Sequence, residues 1–306
     1  MSKIAFIYPG QGAQKAGMGA DFYEKDGRVR RLYDEAGRML DLDLRALCFE
    51  ENDRLDLTEY TQAALVTTCL AMTEVVTSAG LRPDITAGLS LGEYAAIAAA
   101  GGMDPMDAIR LVRKRGILMS GTVPAGVGAM CAIMAMDSEK IEEVIADISD
   151  VTVANYNCPG QIVITGERKG VELAAARLKE AGAKRTVMLN VSGPFHSPLL
   201  KSAGTSLAEE LDRVVLHPLK IPYVTNVDAG IVEDIGRTKE LLARQVYSPV
   251  RWMQSMERMI ADGTDIFVEI GPGKTLAGFM KKINRDVKVY NIATWEDVEK
   301  VTGELC

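Results

Sequence analysis

The stretch Ile85-Thr86-Ala87-Gly88-Leu89-Ser90-Leu91-Gly92-Glu93-Tyr94 constrains this chain more than any other. A short apolar run ends at a serine with glycine two residues to either side, and an alanine-rich run follows. That is G-x-S-x-G read as strand, sharp turn and helix. The glycines let the backbone turn without a β-carbon in the way, so the serine is lifted out at the strand end. The helix N-terminus behind it offers unpaired N–H groups to a developing negative charge. A chain built around such a turn needs a base for Ser90, donors for an oxyanion, and a sheet that carries them.

Residues 4–8 are continuously apolar, which suits a strand buried on both faces. The strand ends at Pro9-Gly10-Gln11-Gly12-Ala13-Gln14, where the dinucleotide fingerprint G-x-G-x-x-G fails because Lys15 replaces the third glycine. The loop reads as a plain turn or as a donor of N–H groups at a strand end. Residues 58–79 have helical apolar spacing, Gly80 closes that helix, and Pro83-Asp84 opens the strand into Ser90. Asp104-Pro105 starts a further helix carrying Arg113, Lys114 and Arg115, which must point different ways.

Residues 121–128, with three glycines and Pro124, form an internal boundary. Beyond it the pattern predicts a strand at 129–136, a helix at 138–148 with Ser138 as N-cap, and strands at 151–157 and 161–167. A helix at 169–181 and a strand at 184–191 complete the order β-α-β-β-α-β. A turn-rich loop at 192–198 leads to a helix at 199–211, a strand at 221–226 and helices at 239–246 and 250–260. A buried strand at 265–270 and a surface helix at 294–306 follow. Gly271-Pro272-Gly273-Lys274-Thr275 resembles the end of a P-loop, but Val268 stands where the first glycine belongs, so it reads as a turn and helix start. The expected fold is α/β. An α/β-hydrolase-like large domain with a short parallel sheet (residues 1–123 and 192–306) is interrupted by a ferredoxin-like (βαββαβ) subdomain at 124–191.

Serine is a weak nucleophile until a base takes its proton. The chain has two histidines, a count that excludes a histidine-rich zinc site, and neither a metal nor a bound cofactor is expected. His217 lies in the apolar run Leu216-His217-Pro218-Leu219 and reads as structural. His196 lies in a loop bearing proline and glycine and is the favoured base. An elbow serine draws one oxyanion donor from the next residue, Leu91. The glycine-flanked Gln11 backbone suits the second.

The formal net charge of −7 disfavours nucleic-acid binding. Five scattered cysteines with no C-x-x-C, no apolar stretch of spanning length, and a first strand that starts directly after Met1-Ser2-Lys3 point to a cytoplasmic protein without membrane association.

Six segments in order, spread over essentially the whole chain, resemble the malonyl-CoA:acyl-carrier-protein transacylases, the acyltransferases of bacterial fatty acid synthesis. They are Pro9–Gln14 as quoted above, the Gly88-to-Tyr94 elbow, Arg115-Gly116, Ala154-Asn155-Tyr156-Asn157, Gly193-Pro194-Phe195-His196-Ser197 and Glu269-Ile270-Gly271-Pro272-Gly273. The resemblance implies a ping-pong reaction. Ser90 takes malonyl from malonyl-CoA, and the phosphopantetheine thiol of acyl carrier protein then takes it from Ser90. His196 would act as base and then acid, and the N–H groups of Gln11 and Leu91 would hold the oxyanion. The backbone carbonyl at Gln245 would orient the histidine.

The resemblance also marks Arg115 as the grip for the malonyl carboxylate, a task that suits a planar guanidinium. It places Asn155 in the active-site cleft and associates Phe195 with malonyl over bulkier groups. One departure is Leu89, where the family commonly has histidine. A monomer is expected, docking an acidic carrier through a local basic patch for which Lys184/Arg185, Lys201 and Lys281/Lys282 are candidates. The competing readings are a serine hydrolase sharing the elbow, an acyltransferase of polyketide synthesis, and a catalytically silent carrier-binding scaffold.

Overall fold

Five strands in parallel register carry the elbow, in a computed structural model that describes residues 2–124, 126–191 and 193–306. Ala125 and Ser192 fall in the two joints that bound the expected subdomain and lie outside the described residues, as does Met1. The strands are β1 (Lys3–Tyr8), β2 (Ile85–Gly88), β3 (Gly128–Met134), β4 (Val151–Cys158), β5 (Gln161–Glu167), β6 (Arg185–Met188), β7 (Tyr223–Val224), β8 (Ile231–Val232), β9 (Thr264–Ile270) and β10 (Lys288–Ile292).

The main sheet has the order β10-β9-β1-β2-β7-β8, with only β8 antiparallel to its neighbour. Central β1 is buried from Ala5 to Tyr8, as its unbroken apolar run requires. Its register pairs Tyr8 with Gly88 and Ile7 with Glu269. The loops after Tyr8, Gly88 and Ile270 therefore leave the sheet along one edge, the carboxyl ends of the strands, where open α/β sheets bind ligands. The Thr58–Ser78 helix is buried around nearly its whole circumference and packs behind this edge.

The second sheet, β4-β5-β3-β6, is antiparallel throughout. Its alternation sorts side chains cleanly. Cys131, Ile133, Ile162 and Ile164 pack on the helices Ser138–Ile145 and Arg168–Glu180, while Met130, Ala132 and Val163 join the core of the large sheet. On β4 the register slips between Val153 and Asn155. Without the slip, Asn155 would share the face of Val153. The bulge turns Asn155 and, two residues on, Asn157 toward the large domain.

The structure corrects several local expectations. Ser138 is the first residue of its helix; Asp137 holds the cap position with no side-chain hydrogen bond, and the helix stops at Ile145. Strand β6 ends at Met188, which frees Leu189 and Val191 to line the cleft. His217 is exposed rather than structural, on a surface segment where the adjacent Val215 is 66% exposed. Its backbone N–H donates to Gly102 O, so the segment is held by main-chain pairing and not by burial of the imidazole. Among the described residues no helix is long and apolar enough to cross a membrane.

Candidate active site

The elbow forms because its two glycines sit where no side chain fits. A β-carbon on Gly88 would lie 1.9 Å from the Gly92 carbonyl, and one on Gly92 would lie 2.5 Å from Tyr8 O. Strand β2 can therefore run almost into the first turn of the Gly92–Ala99 helix, close against β1. Ser90, between them, has φ 55°, a left-handed conformation that costs a non-glycine residue free energy. His196 has φ 59°. Both halves of the reactive pair thus sit on strained backbone, as is common at functional sites.

Ser90 Oγ and His196 Nε2 are 2.8 Å apart, and His196 Nδ1 is 2.8 Å from Gln245 O. A carbonyl oxygen can only accept, so Nδ1 carries the proton and Nε2 presents its lone pair to the serine. Burial, and secondarily the charge of Arg115, push the imidazole from 6.5 down to about 3, against hydrogen bonds to the Gln245 and Ser248 backbone. The resting histidine is neutral, as a base must be.

Arg115 is 1% exposed. Nη1 donates to Gln62 Oε1 at 2.7 Å, and Nη2 donates to Gln245 Oε1 at 2.9 Å and to Ser90 Oγ at 3.0 Å. All three acceptors are neutral, and Arg115 Nε is buried with no partner among the described residues. A buried guanidinium without a carboxylate is costly and invites an anion. Burial lowers its pKa accordingly. Its neighbours go elsewhere: Arg113 pairs with Glu59 and stacks on Tyr60, and Lys114 is exposed.

Gln11 and Leu91 both line the cleft beside Ser90. Among the described residues neither backbone N–H has a hydrogen-bond partner. The Ser90 N–H, by contrast, is already taken by Asn226 Oδ1 at 2.7 Å. Asn155 and Phe195 also line this cleft of about 250 Å³, which the Thr275–Ile283 helix closes on a third side with Leu276 and Phe279. Gln245 stands behind it, reaching the site through its hydrogen bonds. The eight site residues expected from the sequence therefore converge. Leu89 faces the cleft as well and packs over Gly10, where a β-carbon would meet its Cδ2 at 2.6 Å.

Three site residues escaped sequence reasoning. Gln62 anchors Arg115; Asn226 holds the Ser90 N–H and donates to Gly88 O at 2.8 Å; Glu93 accepts from Gln245 and Asn226. Each carries a faint signal, namely a polar side chain within or at the end of an otherwise buried element. Among the described residues no cluster of three or more His, Cys, Asp or Glu side chains is arranged to hold a metal.

A family profile described as an acyl transferase domain matches residues 5–300. A malonyl CoA-acyl carrier protein transacylase of Bacillus subtilis is 47% identical over 304 residues, covering 98% of this chain and 96% of that protein. Among solved structures, an acyl carrier protein S-malonyltransferase from Vibrio cholerae superposes with a TM-score of 0.95 at 41% identity, covering 98% of this chain and 100% of that one. A malonyl-transacylase in complex with its type II PKS acyl-carrier protein superposes with a TM-score of 0.96 at 37% identity, covering 99% and 100%.

Proposed function

The chain belongs to the acyl transferase domain family, and from that premise we propose that it moves malonyl from malonyl-CoA to the phosphopantetheine thiol of acyl carrier protein through an ester on Ser90. The observation that carries this reading is Arg115, a buried cation 3.0 Å from Ser90 Oγ with only neutral partners. An acyl group ending in a free carboxylate would give that guanidinium its missing counter-charge beside the nucleophile.

In the first half-reaction the Ser90 proton passes to His196 Nε2 as Oγ bonds to the thioester carbon. The oxyanion is held by the Gln11 and Leu91 N–H groups, an assignment supported by their being unengaged at the cleft wall. Collapse breaks the carbon–sulfur bond, and the departing CoA sulfur takes the proton from Nε2. In the second half-reaction the carrier thiol gives its proton to Nε2 and attacks the ester. The Ser90 oxygen leaves and recovers that proton. Gln245 O holds Nδ1–H throughout, the place that an acid takes in a serine triad. A bound malonyl carboxylate would also offset the Arg115 charge, one of the two influences that depress His196, so the correct substrate would strengthen the base.

Asn155 and Phe195 would shape the space around the acyl group and its arm. Carrier docking falls to exposed Lys184/Arg185 and Lys281/Lys282, because the elements bearing them continue into the cleft wall at Leu189 and Phe279. Lys201 lies one turn beyond the His196 loop. Residues 124–191 would form the ferredoxin-like subdomain that brings Asn155 to the cleft, and the protein would work as a cytoplasmic monomer without a bound cofactor. The likeness to a transacylase complexed with a type II PKS carrier keeps a polyketide carrier among the acceptors to be tried.

The experiment incubates the protein with malonyl-CoA and holo carrier proteins of either pathway and follows products by mass. Malonyl-carrier is expected. Release of malonate with no malonyl-carrier would make the protein a hydrolase.

A further inference from the structure

Glu93 is wholly buried in the first turn of the elbow helix, three residues beyond the nucleophile, and the mechanism above does not use it. Its Oε2 accepts from Gln245 Nε2 at 2.6 Å and from the Asn226 N–H at 3.1 Å. Oε1, like the neighbouring Thr225 hydroxyl, is buried without a partner of good geometry among the described residues. Among the described residues no arginine or lysine hydrogen-bonds to this carboxyl, and the Arg115 charge reaches it only through space, so it is kept here despite a substantial desolvation cost.

What the contact achieves follows from the Gln245 side chain. An amide has a donor end and an acceptor end. The acceptor Oε1 takes Arg115 Nη2; the donor Nε2 is held by Glu93 Oε2 and, at 2.9 Å, by Ser90 O. Turned by 180°, the amide would press its NH2 against the guanidinium and its oxygen against two other oxygens. Ser90 O is also shared with the Glu93 N–H, so Glu93 Oε2 is the shorter and stronger of the two fixings.

We propose that Glu93 is a positioning residue for substrate selection. By fixing the sense of the Gln245 amide it holds Arg115 in place, and with it the preference for an acyl group bearing a free carboxylate. Burial, which pushes this carboxyl from 4.5 up to about 7 against its hydrogen bonds, agrees with a group retained for geometry at a cost in stability. The proposal rests on the assignment of Arg115 as the carboxylate grip.

The test compares serine acylation by malonyl-CoA and acetyl-CoA in Glu93→Ala, Glu93→Gln and Arg115→Ala, with thermal unfolding measured on each. In Glu93→Ala the malonyl-to-acetyl ratio of kcat/KM should fall roughly tenfold, the scale of one lost buried hydrogen bond, with the change mainly in the malonyl KM. Glu93→Gln can place its oxygen at the Oε2 position and its NH2 toward Thr225, so it should stay within about threefold of the parent ratio. If Glu93→Ala does not accumulate, Glu93→Asp carries the same test. Its shorter side chain withdraws the acceptor from Gln245, and the ratio must fall there too. Equal losses with both substrates, or a parent-like ratio in Glu93→Ala or Glu93→Asp, would overturn the proposal. So would damage in Glu93→Gln equal to that in Glu93→Ala. An unchanged ratio in Arg115→Ala would instead overturn the reading beneath it.

Discussion

At His196, burial and a neighbouring cation both act against the proton that the imidazole must receive. The acid limb of malonyl-CoA acylation should therefore fall well below the 6.5 of an ordinary histidine. Arg115→Ala removes one of the two causes, so the His196 ring, followed by NMR, should titrate at higher pH in that variant than in the parent. An unchanged titration would mean that burial alone sets its basicity. His196→Ala should slow single-turnover acylation of Ser90 by about 10²–10⁴-fold, the usual range for a lost general base. Arg115→Ala should shift preference from malonyl- toward acetyl-CoA by about 10- to 100-fold, corresponding to one or two charge-assisted hydrogen bonds. Parent-like acylation in the first variant, or parent-like preference in the second, would remove the residue from its role.

The elements position these side chains through close backbone approach. Gly92→Ala would drive a β-carbon against Tyr8 O, a backbone atom that cannot step aside, and should cost about 1–3 kcal/mol or more by overpacking. Gly121→Ala, on an exposed part of the Pro105–Thr122 helix with nothing within 4 Å of the new carbon, should be neutral or stabilising by about 0.5–1 kcal/mol. Chemical denaturation of the two variants checks both. The elbow, the first strand and the Thr58–Ser78 helix were legible because their apolar periods and glycines are local signals. The slip on β4 was not, since a bulge leaves the alternation of Val153 and Asn155 looking regular in the sequence. Asn226 was hidden for another reason: its contact to Ser90 exists only because β7 lies beside β2, a pairing across more than a hundred residues. The Gly27–Leu40 helix went unread although Val29, Tyr33 and Ala36 recur at helical spacing, because dense charges surround that narrow stripe.

Across the whole molecule, two buried groups beside Ser90 give stability opposite dependences on pH. His196 is depressed to about 3 from 6.5, so its contribution is present above pH 6.5 and is lost as pH falls toward 3. Glu93 is raised from 4.5 to about 7, so its contribution is present below pH 4.5 and is lost as pH rises through 7. Glu93→Gln removes the second dependence. Its melting temperature relative to the parent should climb between pH 4.5 and 8, and a constant difference would contradict this. The carrier, if acidic, must find local basic groups on a chain of net charge −7, so its KM should rise with ionic strength and with charge reversal at Lys184/Arg185 or Lys281/Lys282.

Ser90 carrying malonyl between two thiols is the step on which every role above depends. The direct measurement mixes the protein with malonyl-CoA, maps the adduct by peptide mass, and then adds holo carrier protein. The adduct should lie on Ser90, be absent in Ser90→Ala, and move to the carrier thiol when the carrier arrives. An adduct elsewhere, carrier loading that persists in Ser90→Ala, or a Ser90 ester discharged only to water would contradict it.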